Sequence, residues 1–299
     1  MLKPDTILRF YKPNAGNIEC LGKHYIYFFS ARQWKDEHEM QFGVDSNDTA
    51  ALKQYVTDEI ERAFSFAKGS DEYNRYFGYR HDLLSRHGRI NLLATGQEKD
   101  HLVELSLKEL SSEKIKESKQ GLVRNNFFSK TGISCFTADR NMLGNRFHWS
   151  VFAGAGEGFC VEYDWPLLES HFQENKAGVR GDYVKYYEGL KPQLILQSGY
   201  SEKVMDNYCN IIFSLSQLMQ DENEFRLAKV FTVDMPDQDD RRKEPIPPNA
   251  IKTIFLGPKT TGPYRQKLSD IVKSALPATR LMMIEESDGK YKTIDIPAT

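Results

Sequence analysis

No stretch of the 299-residue chain comes near the roughly 18 consecutive apolar residues that a membrane helix needs. The start, Met1-Leu2-Lys3-Pro4-Asp5, has no apolar run behind it. Neither a signal peptide nor a membrane span is therefore expected, and the cytoplasm is the expected setting. The four cysteines, Cys20, Cys135, Cys160 and Cys209, include no Cys-x-x-Cys pair, which removes zinc-ribbon and thioredoxin-like readings. Cys135 and Cys160 lie in apolar stretches and read as buried free thiols. Charge of one sign is also missing: the formal net charge is -2, so nothing global argues for a polyanion partner. A Walker loop is absent, and so is a G-x-G-x-x-G after a strand. Gly154-Ala155-Gly156-Glu157-Gly158 precedes a strand rather than a helix and reads as a turn. The seven histidines form no His-x-x-x-His or His-Glu-x-x-His pair, and no metal is expected. Asp36-Glu37-His38-Glu39 is the best local candidate for metal chemistry, although such a run is more often an exposed loop.

What is present is aromatic and mixed in period. Phenylalanine and tyrosine number 18 and 15, enough for either a large core or stacking faces. Strands are expected at 6–11, 24–30, 133–138, 158–164, 182–187, 223–233 and 250–256, with a hairpin of 280–285 and 291–296 across Ser287-Asp288-Gly289. Helices are expected at 49–68, 71–86, 100–119, 165–173 (Asp164 as N-cap and Pro166 in the first turn), 201–219 and 263–275. Residues 234–248 read as a polar, proline-rich surface loop. Strands and helices do not alternate regularly. The expected class is therefore α+β, a mixed and mainly antiparallel sheet core with a helical insertion. One domain over 1–299 is expected, with 49–119 as that insertion, read as a cap, a partner surface or a helical layer.

Two clusters can carry chemistry. Glu222-Asn223-Glu224-Phe225-Arg226 stands where a long apolar pattern hands over to a strand. Alternation points Glu222, Glu224 and Arg226 the same way, as a solvated edge or at the rim of something buried. Arg9 is a lone cation in an apolar strand, sharing a face with Ile7 and Tyr11. It suits a phosphate or carboxylate gripped through two bonds, or a structural salt bridge to a buried acid such as Glu224. Between them, Ile133–Thr137 and Gly158–Asp164 read as two buried strands around Trp149, a pocket floor.

Several separated pieces together resemble a large, mostly bacterial family, domain of unknown function 2971. They are Leu8-Arg9-Phe10-Tyr11; Phe29-Ser30 followed by Trp34-Lys35-Asp36-Glu37-His38-Glu39; Cys135-Phe136-Thr137; His148-Trp149-Ser150-Val151-Phe152; Gly158 to Tyr163; Glu222 to Arg226; and Ile251 to Gly257. The order and spacing fit nearly the whole chain apart from the helical insertion. The family's Asn-Asp-Pro becomes Lys35-Asp36-Glu37, and its methionine and tyrosine around the tryptophan become His148 and Phe152.

A more distant resemblance is to ADP-ribosyltransferases, in the order of a basic first strand, a Ser/Thr strand and Glu-x-Glu. It implies NAD as cofactor and a protein or nucleic-acid acceptor, in an enzyme of the toxin or defence-effector kind. On that resemblance Glu224 faces the positive charge developing on the ribose. Glu222 orients the acceptor and Arg9 holds phosphates or ribose beside Tyr11. Thr137, with Ser134, steadies the ribose, Trp149 or Phe136 stacks on nicotinamide, and Arg226 holds the carboxylates. The alternatives are a non-catalytic binding module with the same fold and, third, a metal-dependent nuclease using Asp36, Glu39 and the Glu222/Glu224 pair.

Overall fold

The computed structural model describes residues 3–31, 42–44, 49–65, 100, 103–104, 107–108, 127–189, 193–194, 202–233, 235–236, 238–287 and 289–296. Everything below concerns those residues. The expected helix at 71–86, most of that at 100–119, and the run from Trp34 to Glu39 lie outside them.

The strands in chain order are β1 (Thr6–Tyr11), β2 (Tyr25–Tyr27), β3 (Phe29–Ser30), β4 (Gly43–Val44), β5 (Thr131–Thr137), β6 (Phe159–Asp164), β7 (Val179–Tyr183), β8 (Lys185–Tyr187) and β9 (Gln193–Leu194). They continue as β10 (Ser214–Ser216), β11 (Glu224–Val230), β12 (Lys243–Pro245), β13 (Ile251–Leu256), β14 (Arg280–Ser287) and β15 (Lys290–Asp295). The α-helices are α1 (Ala15–Gly22), α2 (Thr49–Ser65), α3 (Arg146–Val151), α4 (Trp165–Glu174), α5 (Glu202–Ile212) and α6 (Gly262–Ala275).

The chain divides into two compact units: Met1–Gln41 with Arg124–Leu190 and Ile212–Thr299, and Phe42–Val123 with Lys191–Ile211. The second takes in the expected insertion at 49–119 and also a segment far from it in sequence. In it β4 pairs with β9, and Leu52, Tyr55, Val56 and Ile60 of α2 pack with Val103 and Leu107. Those spacings are one helical face, as the 3.6-residue period requires.

The first unit is a mixed, mostly antiparallel sheet in the order β15-β14-β13-β6-β1-β5-β11-β7, with β3 also on β5. The α+β class expected from the irregular strand spacing is what the chain adopts. β13 and β14 form the parallel pair of this sheet, and α6 makes the crossover that parallel neighbours require. One face packs Ile7, Tyr11, Phe136, Phe159, Val161 and Tyr163 against α1, α4 and α6. The other packs Leu8, Cys160 and Phe255 against Leu143 and Trp149. Strand alternation alone sorts these residues. As expected, Asp164 caps α4, accepting from the Leu167 amide, with Pro166 in the first turn.

Three expectations are corrected. The helix expected to run to Met219 stops at Ile212; Ser214–Ser216 then pairs in parallel with β8, and a 3-10 turn follows. Leu215 of the apolar stripe is buried in that strand, whereas Leu218 is 77% exposed. Short apolar runs fit either period, which is why the pattern misled. The loop expected over 234–248 contains β12, paired with β2, and the fully buried Arg242. Its prolines hide the strand, since Pro245 sits at a strand end where a missing N–H costs little. Finally, the strand expected at 24–30 is split into β2 and β3 by Phe28, and α1 replaces the short turn before it.

The turn at 154–158 brings two chain segments into contact. Gly154 and Gly156 adopt positive φ, 59° and 88°. A Cβ on Gly158 would fall 1.9 Å from the Tyr11 carbonyl oxygen. Gly158→Ala must push β1 and β6 apart and is expected to destabilise the sheet unit by about 3 kcal/mol. Chemical denaturation followed by tryptophan fluorescence would show this as an earlier midpoint.

Candidate functional site

Leu8, Thr137 and Glu224 are successive cross-strand partners on β1, β5 and β11, so their side chains share one face of the sheet. Arg226 is opposite Cys135 and lies on that same face. Arg9 is one residue further along β1 and points to the other face, where Ser134, Phe136 and Tyr11 also lie. The expected site residues thus fall into two groups on opposite sides of one sheet. Glu224, Thr137, Arg226 and Trp149 form one group; Arg9, Tyr11, Ser134 and Phe136 form the other.

The first group is internally satisfied. Arg226 is fully buried and clasps Glu224 through Nε to Oε1 at 2.9 Å and Nη2 to Oε2 at 2.8 Å. Its Nη1 donates to the Ile212 carbonyl at 2.8 Å. The acid partner of the strand motif is therefore Arg226, two residues on, and not Arg9. The Thr137 hydroxyl donates to the Asn223 carbonyl at 2.9 Å and accepts from the Asp139 amide at 3.2 Å. These bonds hold Asn223 in its left-handed conformation, φ 46°, at the entry to β11. Trp149 is buried, donates through its indole N–H to the Leu143 carbonyl at 2.8 Å, and meets the Phe10 ring edge-on at 5.0 Å. It is core. Glu222 ends the 3-10 turn before β11.

The second group is different. Three arginines are buried among the described residues: Arg9, Arg226 and Arg242. Arg226 has its carboxylate. Arg242 donates to the carbonyls of Pro236, Met235 and Phe28, at 2.8, 2.7 and 3.3 Å. Arg9 has one hydrogen-bond partner among the described residues, the Ser134 hydroxyl, to which Nη1 donates. Its remaining company is aromatic: the rings of Tyr11, Phe136 and Phe29, at 4.9, 5.4 and 5.6 Å from the guanidinium carbon. Burial works against the charge on Arg9; the net rise of its pKa comes from Tyr11, Tyr163, Cys20 and Cys135, which act as charges only where they ionise, far above neutral pH. Arg9 is charged at every working pH. Burial raises the pKa of both Tyr11 and Tyr163, whose hydroxyls meet at 2.8 Å and stay protonated.

Arg9 owes this position to a fork in the sheet. β1 pairs with β6 from Thr6 to Tyr11 but with β5 only at Leu8 opposite Thr137. Beyond that point β3 lies beside β5 instead, with Phe29 opposite Ile133. Arg9 follows Leu8 and reaches across the split to Ser134. It is 9% exposed, and its Nε and Nη2, which make no bond among the described residues, are not among the enclosed unbonded atoms. Beside the guanidinium lies the ring of Phe29, which is 41% exposed. Phe29 and Tyr163 were not singled out from sequence. Tyr163 stands opposite Ile7, and its place on the Arg9 face follows from the strand period once the register is known.

Two further buried polar atoms lie on the Glu224 face. Glu162 Oε1 makes no hydrogen bond, and the mostly exposed Arg140 Nη1 stands 3.4 Å away as an ion partner. His148 Nδ1 is also unbonded, while Nε2 lies 3.4 Å from the Glu222 carbonyl. Among the described residues no three His, Cys, Asp or Glu side chains come together as a metal would need. Asp36, Glu37, His38 and Glu39 lie outside those residues.

No family model, no curated protein and no solved structure matches this chain.

Three outcomes are expected. Glu224→Gln leaves a buried guanidinium without its counter-charge and costs about 3–5 kcal/mol in denaturant unfolding. Arg9→Met removes a desolvated charge that has no carboxylate partner among the described residues, so its melting temperature should equal or exceed that of wild type. Burial lowers the His148 pKa below its ordinary 6.5, against smaller opposing effects of the Glu222 carbonyl and Asp139. The unfolded chain then binds the proton more readily than the fold. Stability from this residue is complete above about pH 6.5 and falls as the pH drops toward the folded pKa. Unfolding of wild type and His148→Gln from pH 8 to 5 should diverge in that direction.

Proposed function

We propose that the protein is a binding module for a small anionic ligand, held at the fork between β1 and β5 by Arg9. The observation that carries this is the contrast among the buried arginines. Two are answered by protein acceptors, and Arg9 has a single hydroxyl and three rings. Taking a guanidinium out of water costs several kcal/mol unless charge and hydrogen bonds replace it. Ring contacts of about 0.5–2 kcal/mol each offset part of this. An incoming anion supplies the rest. NAD is the candidate that the sequence resemblance implies. We place the protein in the cytoplasm, a setting in keeping with four cysteines that form no disulfide.

ADP-ribosyl transfer gains no support from the arrangement. Transition-state stabilisation needs Glu224 and the ligand-holding cation at one ligand. Glu224 has both oxygens on Arg226 and faces away from Arg9.

Isothermal titration of the full chain with NAD and with simple organic anions tests the reading. Saturable binding is expected for at least one of them, weakened about tenfold or more in Arg9→Gln, from the loss of charge-assisted bonds worth about 1.5–3 kcal/mol. No nicotinamide release is expected. Release by wild type that is lost in Glu224→Gln at equal folded fraction would overturn the non-catalytic reading.

A further inference from the structure

We infer that the group Arg9 takes is a singly charged carboxylate carried on an apolar or aromatic body. This rests on the reading of Arg9 as a ligand site and narrows it to one chemistry.

The first argument comes from Arg226. There Nη1 donates to a protein oxygen, and the edge formed by Nε and Nη2 clasps both oxygens of a carboxylate. Arg241 presents the same edge to Asp239, Nε to Oδ1 at 2.9 Å and Nη2 to Oδ2 at 2.6 Å. Arg9 repeats the first half of the Arg226 arrangement, with Nη1 on the Ser134 hydroxyl. Its Nε and Nη2 are left with no acceptor among the described residues. A planar carboxylate matches that edge through two parallel bonds.

The second argument is the hydrogen-bond sense. The Ser134 oxygen receives Arg9, so its own proton is the one it has to give. Among the described residues the hydrogens left to offer at the fork are those of Nε, Nη2 and the serine O–H. An ionised carboxylate, which only accepts, matches such a set of donors.

The third argument is charge. Of the buried arginines among the described residues, Arg226 and Arg242 are held by their own acceptors, and Arg9 alone stands at the fork. One guanidinium balances one negative charge. A phosphate monoester, close to a dianion at neutral pH, would bring a second charge among phenyl rings with nothing to answer it. Finally, the walls are rings, and Phe29 holds its ring half in solvent beside the guanidinium. That face suits a flat or apolar ligand body.

Benzoate and phenyl phosphate share a ring and differ in the charged group, and NAD adds a pyrophosphate. All three would be titrated at pH 8 into the full chain and into Arg9→Gln and Arg9→Lys, with the melting temperature of each variant measured alongside. Benzoate is expected to bind wild type at least tenfold more tightly than phenyl phosphate or NAD. Arg9→Lys keeps the charge but lacks the two-bond edge, and it should lose tenfold or more while melting like wild type. It serves if Arg9→Gln does not fold. Tighter binding of phenyl phosphate or NAD, still lost in both variants, would overturn the carboxylate and leave the anion site standing. Equal binding by wild type and Arg9→Lys would remove the two-bond grip. Failure of all three probes to bind wild type would overturn the site itself.

Discussion

β1 is gripped unequally. It pairs with β6 from Thr6 to Tyr11 on one side and meets β5 only at Leu8 on the other. The sheet cannot close past Leu8, because β3 lies beside β5 from Ile133 to Gly132. That inequality sets the rest of the layout. It opens the split that Arg9 crosses, it puts Ser134 within reach, and it leaves Phe29 on the outer side of the guanidinium. The glycine at 158 helps to fix it, since close approach to the Tyr11 carbonyl holds β6 against β1 at the end where β5 has departed.

The three buried arginines show how one chemistry can serve different ends. Arg226 neutralises Glu224 beneath the turn that leads into β11, so the Glu-x-Glu segment owes its form to stability. Arg242 gathers the Met235 and Pro236 carbonyls of its own loop and the Phe28 carbonyl between β2 and β3. Arg9 does neither. Burying a charge with so few partners makes the fold less stable than it could be. Cost of that kind is more often retained for binding than for packing.

Much of the sheet could be read from the chain. Ile7, Arg9 and Tyr11 on one face and Leu8 and Phe10 on the other followed from a period of two; the Asp164 cap of α4 and the terminal hairpin were legible from their residue types. What stayed hidden was register. Glu224 and Arg9 could each be seen as charges in apolar strands, but their being on opposite faces depends on which residue of β5 each strand meets. One residue of slip would have reversed that outcome. The end of α5 was hidden for a related reason: Ile211, Ile212 and Leu215 satisfy a helical stripe and a buried strand alike. Arg242 was hidden by its neighbours, because a run of acids, prolines and basic residues gives no sign that one guanidinium turns inward.

The arrangement of β1 also has a consequence in time. β1 is made well before either neighbour, since its full-length partner begins at Phe159 and the other at Thr131. At about 5–20 residues per second, on the order of ten seconds of synthesis separate Tyr11 from β6. During that interval an apolar strand carrying a lone cation has no edge to join. Loop closure across so long a gap makes the central pairing slow even in the finished chain. The charge of Arg9 keeps the nascent strand from being wholly apolar. In a chain still being made, that resists the edge-to-edge association to which unpaired strands are prone.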